Sequence, residues 1–225
     1  FAGAFLGNAS LPEFFAVAAG TQLPSPVWWR GWNEAFYGIE GGAWPGSAIG
    51  NAFVTIPNPA PGEYRLVVQA SHDAGGRVVD GSALLRISQK PPQGIDFASG
   101  RASILGQKPD SWQFFQVVVP EGAVGWDLRM ENVSTGAPQM VVSRDALPGS
   151  ISGNLADYTE WPTGVSWAAG PDWTAYYYDA AGARFKDSRL VMGTGRPLQP
   201  GVYQVGIFVP PSSEAASYTV ASLGT

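Results

Sequence analysis

Between Trp112 and Val142 the chain reads WQFFQVVVPEGAVGWDLRMENVSTGAPQMVV, three apolar runs separated by PEGAVG and NVSTGAP. Phe115, Val117 and Val119 recur at every second position. Trp126, Leu128 and Met130 do the same, with Asp127, Arg129 and Glu131 between them. A period of two is the spacing of a strand with one buried face, because successive side chains leave a pleated backbone on opposite sides. Pro120 has no N–H to give a ladder, and Gly122 and Gly125 supply turn freedom, so the first run ends there. The segment is therefore expected to form a half-buried antiparallel meander, the core of a β-sandwich that the later residues complete.

The rest of the chain carries the same signature. Its 225 residues suffice for one large all-β domain or two small ones. With 29 glycines and 19 prolines, turns recur every few residues and leave little room for amphipathic helices. Residues 10–19 read equally as a helix, with Ser10 as N-cap and Pro12 early, or as a strand, FFAVAA; Gly20 ends either one. AFVTIP and EYRLVVQA read as strands, the second with Tyr64, Leu66, Val68 and Ala70 on one face. SALLRIS follows, with Ala83, Leu85 and Ile87 expected inward. Lys90 to Gly94, KPPQG, reads as a linker, since Pro-Pro cannot join a central ladder.

Beyond the linker come ASILG, the meander, a turn-rich excursion over 143–172, the hairpin WTAYYYDAAGARF and a short strand in SRLVMGT. Tyr203, Val205, Ile207 and Val209 then alternate along one strand, and Tyr218 and Val220 lie on a closing one. NPAPGEYRLVVQA (58–70) is echoed by PLQPGVYQVGIFV (197–209): a turn ending Pro-Gly, one residue, Tyr, then an alternating strand. The expected architecture is an all-β, antiparallel, jelly-roll-like β-sandwich in two tandem units, residues 1–92 and 95–225.

FQVVVPEGAVGWDLRMENVSTGAPQMVVSRDALPG, followed downstream by PGVYQVGIFV and SYTV, resembles the bacterial pre-peptidase C-terminal domain. The resemblance covers most of 98–225 and, in the first unit, about 52–88. It implies a non-catalytic β-sandwich appended to a secreted hydrolase, often a protease, and serving export, stability or docking on a polymer. Some members of that family bind collagen or carbohydrate. Where the family often has acidic residues before its third strand, this chain has Gly136-Ala137-Pro138-Gln139, which puts any metal role of those acids in doubt.

The residues themselves narrow the chemistry. Cysteine is absent, which excludes zinc–thiolate sites, disulfides and thiol nucleophiles. The net charge of −5, without a Lys/Arg cluster, argues against nucleic acid or an anionic membrane as partner. No apolar run approaches the roughly 20 residues that span a bilayer. Low charge, many aromatics and no cysteine suit a secreted, extracellular bacterial protein, and Phe1 in place of an initiator Met points to a mature region or fragment of a longer chain.

His72, the single histidine, sits beside Asp73 in a Gly-rich loop. GSISG at 149–153 places Ile151 where a nucleophile elbow needs serine, so no catalytic residues are assigned. Asp157 and Glu160 are nearby loop acids that a small hydrolase would need as a catalytic pair. An oxygen-ligated cation such as calcium would draw on Asp172, Asp179 and Asp187, which flank the YYY hairpin.

Aromatic rings are the strongest binding candidates, because Trp and Tyr stack on the C–H faces of sugars at wet surfaces. Trp161, Trp167, Trp173, Tyr176 and Tyr178 lie in or beside the long excursion, and Trp28, Trp29 and Trp32 form a second group. Trp112 and Trp126 fall in phase with strands and are expected in the core. The expected partner is an extracellular polysaccharide or protein polymer, with the parent hydrolase in the same longer chain. A dedicated carbohydrate-binding module and a small secreted hydrolase are the alternatives.

Overall fold

A computed structural model gives the fold. It describes residues 2–9, 12–19, 28–30, 32–33, 50–56, 59–70, 84–148, 151, 166–168, 186–193, 197–210 and 212–225. Among these residues lie sixteen strands and no helix. The first seven are β1 (Ala2–Ala9), β2 (Pro12–Ala19), β3 (Trp28–Arg30), β4 (Trp32–Asn33), β5 (Gly50–Ile56), β6 (Tyr64–Ala70) and β7 (Leu84–Gln89). Then come β8 (Gln93–Ile95), β9 (Arg101–Gln107), β10 (Ser111–Val119), β11 (Trp126–Thr135), β12 (Gln139–Arg144), β13 (Ser166–Ala168), β14 (Ser188–Met192), β15 (Gly201–Val209) and β16 (Ala216–Gly224). The segment that reads equally as helix or strand is thus the strand β2.

Strands β1 to β7 form two sheets, in the orders β4-β5-β1-β7 and β3-β2-β6. Strands β8 to β16 form two more, β13-β12-β15-β10-β8 and β14-β11-β16-β9. Among the described residues no strand of the first set pairs with one of the second.

The expected meander does not exist as such. β10 pairs with β15 and β8, whereas β11 pairs with β14 and β16, and β12 returns to β15. The chain crosses from one sheet to the other at each turn. A period of two fixes which face of a strand is apolar and leaves its partner open; here β10 and β11 face each other across the core. Phe115, Val117, Tyr203, Val205 and Ile207 from one sheet meet Trp126, Leu128, Met130, Tyr218 and Val220 from the other, all buried.

Two further expectations are corrected. Gln93–Ile95 is no linker but a strand pairing parallel to Phe115–Val117 of β10, so the connection shortens to Lys90–Pro92. Leu85 and Ile87 do not point inward: they are 41% and 63% exposed on β7, the edge strand of its sheet. An edge strand lacks a neighbour on one side, and alternation alone does not say whether anything covers its apolar face.

The repeated Pro-Gly-x-Tyr sequence is repeated in three dimensions. Tyr64 Oη donates to the Ala60 carbonyl at 2.8 Å, and Tyr203 Oη donates to the Gln199 carbonyl at 2.9 Å. In both, the glycine two residues before the tyrosine has a φ open to glycine, +153° at Gly62 and +143° at Gly201. A tyrosine at the start of a strand, tied back to the preceding turn, is the corner device of Greek-key sandwiches. The second corner is reinforced by Arg144 at the end of β12, which donates to Gln199 Oε1 at 2.7 Å and to the Pro200 carbonyl at 3.1 Å.

Because β8 belongs to the later strands, a chain beginning at Lys90 is expected to fold alone and melt cooperatively. One beginning at Asp96, without β8, is expected to melt at a lower temperature. Scanning calorimetry of both checks this, and aggregation of the longer piece would show that residues 1–89 complete its core.

Candidate functional site

The sandwich has two outward faces, and they differ in kind. On the five-stranded sheet, Trp112, Phe114 and Val118 of β10 lie opposite Phe208, Gly206 and Val202 of β15. Trp112 stacks on Phe114 with ring centroids 5.4 Å apart and 5° between the planes, and packs on Phe208 at 5.1 Å. Gly206 lets this cluster close, since a Cβ there would lie 2.7 Å from Pro148 Cγ and 2.8 Å from the Trp112 ring. Phe114, Val141 and Ser143 on this face are fully buried, and Trp112 and Phe208 are half-buried. Trp112 therefore packs on the outward side and not among the inward rows. Its parity already separates it from Phe115, Val117 and Val119.

The face of the four-stranded sheet is wet and charged. Asp127, Arg129 and Glu131 project from β11, Arg189 from β14 and Arg101 from β9. Arg129 holds Asp127 at 2.5 Å, and Arg101 reaches Glu131 at 2.5 Å. The guanidinium of Arg129 is raised above its ordinary pKa, first by its hydrogen bond to Asp127 and then by that carboxylate's charge.

At the edge of the five-stranded sheet, β8 parts from β10 after Ile95. An open groove of about 560 Å³ lies there, lined among others by Ile95, Asp96, Phe97, Gln116, Val118 and Pro120. Asp96 is engaged inside its own turn, accepting from the amides of Ala98 at 3.1 Å and Ser99 at 2.9 Å.

The expected site residues separate as follows. Trp167 is 3% exposed and belongs to the core cluster through β13, which pairs with β12, so it is not a surface ring. A single turn-rich stretch of sequence does not reveal that three of its residues add a strand to the sheet. Trp28, Trp29 and Trp32 have strand backbone in β3 and β4. Trp161, Trp173, Tyr176 and Tyr178 lie outside the described residues, as do His72, Asp157, Glu160, Asp172 and Asp179.

Asp187 has a partner that its spacing does not show. Its Oδ1 accepts from the Val133 amide at 3.0 Å, where β11 slips register between Glu131 and Thr135 and Asn132 adopts a φ of +57°. A carboxylate here satisfies an amide that the bulge removes from the ladder. Among the described residues no group of three or more His, Asp or Glu side chains converges to hold a metal ion.

Among the described residues, two buried hydroxyls are shifted furthest. Burial pushes Tyr203 up to about 12, partly offset by Arg144 and reinforced by Asp145. Burial also pushes Tyr218 well above its ordinary value. Tyr218 donates to Gln107 Oε1, whose amide nitrogen donates to the carbonyls of Ser111 at 2.9 Å and Ile207 at 3.0 Å, joining the two sheets.

No protein-family model matches the chain, and no curated protein matches it.

A tyrosine whose folded pKa lies above its unfolded value stabilises the fold fully below about pH 10, and that contribution is lost as pH rises through the folded value. For Tyr203 the window runs from about 10 to about 12. The melting temperature is therefore expected to be flat approaching pH 10 and to fall above it, more shallowly in Tyr203→Phe, as followed by circular dichroism.

Proposed function

We propose that the chain is a non-catalytic accessory module of a secreted bacterial hydrolase, docking on an extracellular polymer or stabilising the enzyme that carries it. The observation behind this reading is how the sandwich uses its ionisable hydroxyls. A general acid or base works with a pKa near the ambient pH and in reach of substrate. Tyr203 and Tyr218 are shifted the other way, are buried, and are bonded to a turn carbonyl and to an inter-sheet glutamine. Their chemistry is spent on holding the fold. The resemblance of residues 98–225 to the pre-peptidase C-terminal domain supports the same conclusion.

Docking in this reading falls to aromatic rings. Trp161, Trp173, Tyr176 and Tyr178 remain the candidates, and Trp112 with Phe208 adds a half-buried pair on the sandwich itself. Alanine at each of the first four positions is expected to weaken pull-down on insoluble polysaccharide or collagen by about 1–3 kcal/mol while leaving the melting temperature unchanged. Trp167→Ala is expected to behave oppositely, costing about 3–5 kcal/mol of stability. A parent protein that binds no polymer, with all five variants melting early, would remove the docking role. Turnover of an ester, peptide or glycoside panel that His72→Ala or Glu160→Gln abolishes would make the protein a hydrolase instead.

A further inference from the structure

The register of the four-stranded sheet lines up three arginines. Arg189 stands directly opposite Arg129, Arg129 opposite Ala221, and Ala221 opposite Arg101, so one row crosses all four strands. Strands lie about 4.8 Å apart, which puts the first two arginines about one strand spacing apart and the third about two spacings further on. Like charges placed directly opposite destabilise a sheet. Arg129 and Arg101 each hold one carboxylate, Asp127 and Glu131 respectively, but the side chain of Arg189 is exposed and, among the described residues, makes no hydrogen bond or ion pair. With its two paired carboxylates the row keeps one positive charge in excess, and the nearby Asp187, two residues before Arg189, is engaged by the Val133 amide.

The rows on either side differ in character. Thr219 and Ser103 place their hydroxyl oxygens 3.0 Å apart on one side, while Val191 and Leu223 flank the other, half-buried. Each of these rows also holds a β11 carboxylate, Glu131 beside the hydroxyls and Asp127 between Val191 and Leu223, tied to Arg101 and Arg129 respectively. With those acids paired, hydroxyls, guanidinium groups and apolar surface in three adjacent rows match the hydroxyl edge, the acid group and the C–H face of an acidic sugar. An acidic peptide would find partners for its carboxylates here but could not pair its backbone with the face itself, because ladder groups lie in the plane of the sheet and only the outer edges of β14 and β9 leave any open.

We propose that this face binds a linear acidic polysaccharide, with Arg189 taking a uronate carboxylate that the protein itself does not supply. The inference rests on the docking reading and names the chemistry of its polymer. Net negative charge does not prevent such a contact, because at physiological ionic strength charges beyond about 8 Å are screened.

The test uses the full chain on immobilised polygalacturonate, with cellulose, collagen and poly-glutamate in parallel. The protein is expected to bind polygalacturonate, to release as salt rises, and to bind about fivefold more weakly after Arg189→Gln, the size of one exposed ion pair. Arg65→Gln, which removes another exposed and unpaired arginine outside the row, should leave binding unchanged. Equal loss in both variants, or poly-glutamate bound as tightly as polygalacturonate, overturns the proposal in favour of general charge or of an acidic peptide. Binding to cellulose or collagen without polygalacturonate overturns the arginine row and leaves polymer docking standing, whereas binding to none of them overturns both.

Discussion

The indole of Trp126 fixes how the two sheets of the sandwich sit on each other. Its ring meets Tyr203 edge-on at 5.4 Å from the opposite sheet and Phe97 at 6.1 Å from the turn between β8 and β9. Its N–H donates to Ser222 Oγ at 2.9 Å, and that hydroxyl donates in turn to the Phe97 carbonyl at 2.7 Å. A buried donor without a partner would cost about 1–3 kcal/mol, so this short relay is what allows a tryptophan to occupy the centre. The turn it anchors joins β8, the edge of one sheet, to β9, the edge of the other. Ser222 and Gly224 bond the same turn through their amides, at 2.8 Å to Gly100 and 2.9 Å to Phe97. One side of the sandwich is therefore closed by a turn clamped to the core.

The tyrosine corners solve a second problem, the reversal of a chain entering a long strand, at the edge of its sheet for β6 and in the middle of its sheet for β15. Pro-Gly sets the reversal and the hydroxyl four residues beyond its first carbonyl holds it. That the same solution occurs before β6 and before β15, with matching glycine torsions, goes beyond a shared hairpin rhythm. The corner recurs across Greek-key sandwiches, so what the two turns share is a device and a spacing. The second corner carries Arg144 as an extra brace, and Tyr203 lies in the core, whereas Tyr64 is only half-buried. The halves share a folding device and differ in how deeply it is built in.

The all-β class and the inward faces of β10, β11, β15 and β16 were legible, because a period of two survives any choice of partner. Tyr203, Val205, Ile207 and Val209 are all fully buried, as their alternation requires. Partnership was not legible: nothing in FQVVV or WDLRM says that they lie in different sheets. Proline misled at one point, since the two residues after Pro-Pro already form a strand, a place where no proline N–H is needed. Two single residues were hidden for a related reason. Residue type and neighbourhood do not show that Trp167 is buried or that Asp187 meets the Val133 amide, because a tryptophan's place is set by whether its segment joins a sheet, and an aspartate's by which amide lacks a partner.

The contrast between the two outward faces was written in the strands themselves. β11 alternates strictly because its outer positions, Asp127, Arg129 and Glu131, meet water. β12 is buried at five successive residues, Gln139 to Ser143, and β10 is apolar at adjacent positions such as Phe114 and Phe115; both are what strands buried on both faces over part of their length demand, although Val118 at the far end of β10 is exposed. A covered face has to satisfy its polar groups internally, and Gln139 Oε1, Ser143 Oγ and Gln204 Oε1 there have no hydrogen-bond partner. On the other face Asp127 Oδ1 is likewise without a partner among the described residues, but the arginines there reach water, Arg129 and Arg101 with 40% and 56% of their side chains exposed, so they can exchange a protein partner for a ligand at little cost to folding. Of the two faces of this sandwich, recognition through polar groups belongs on the one whose strands alternate.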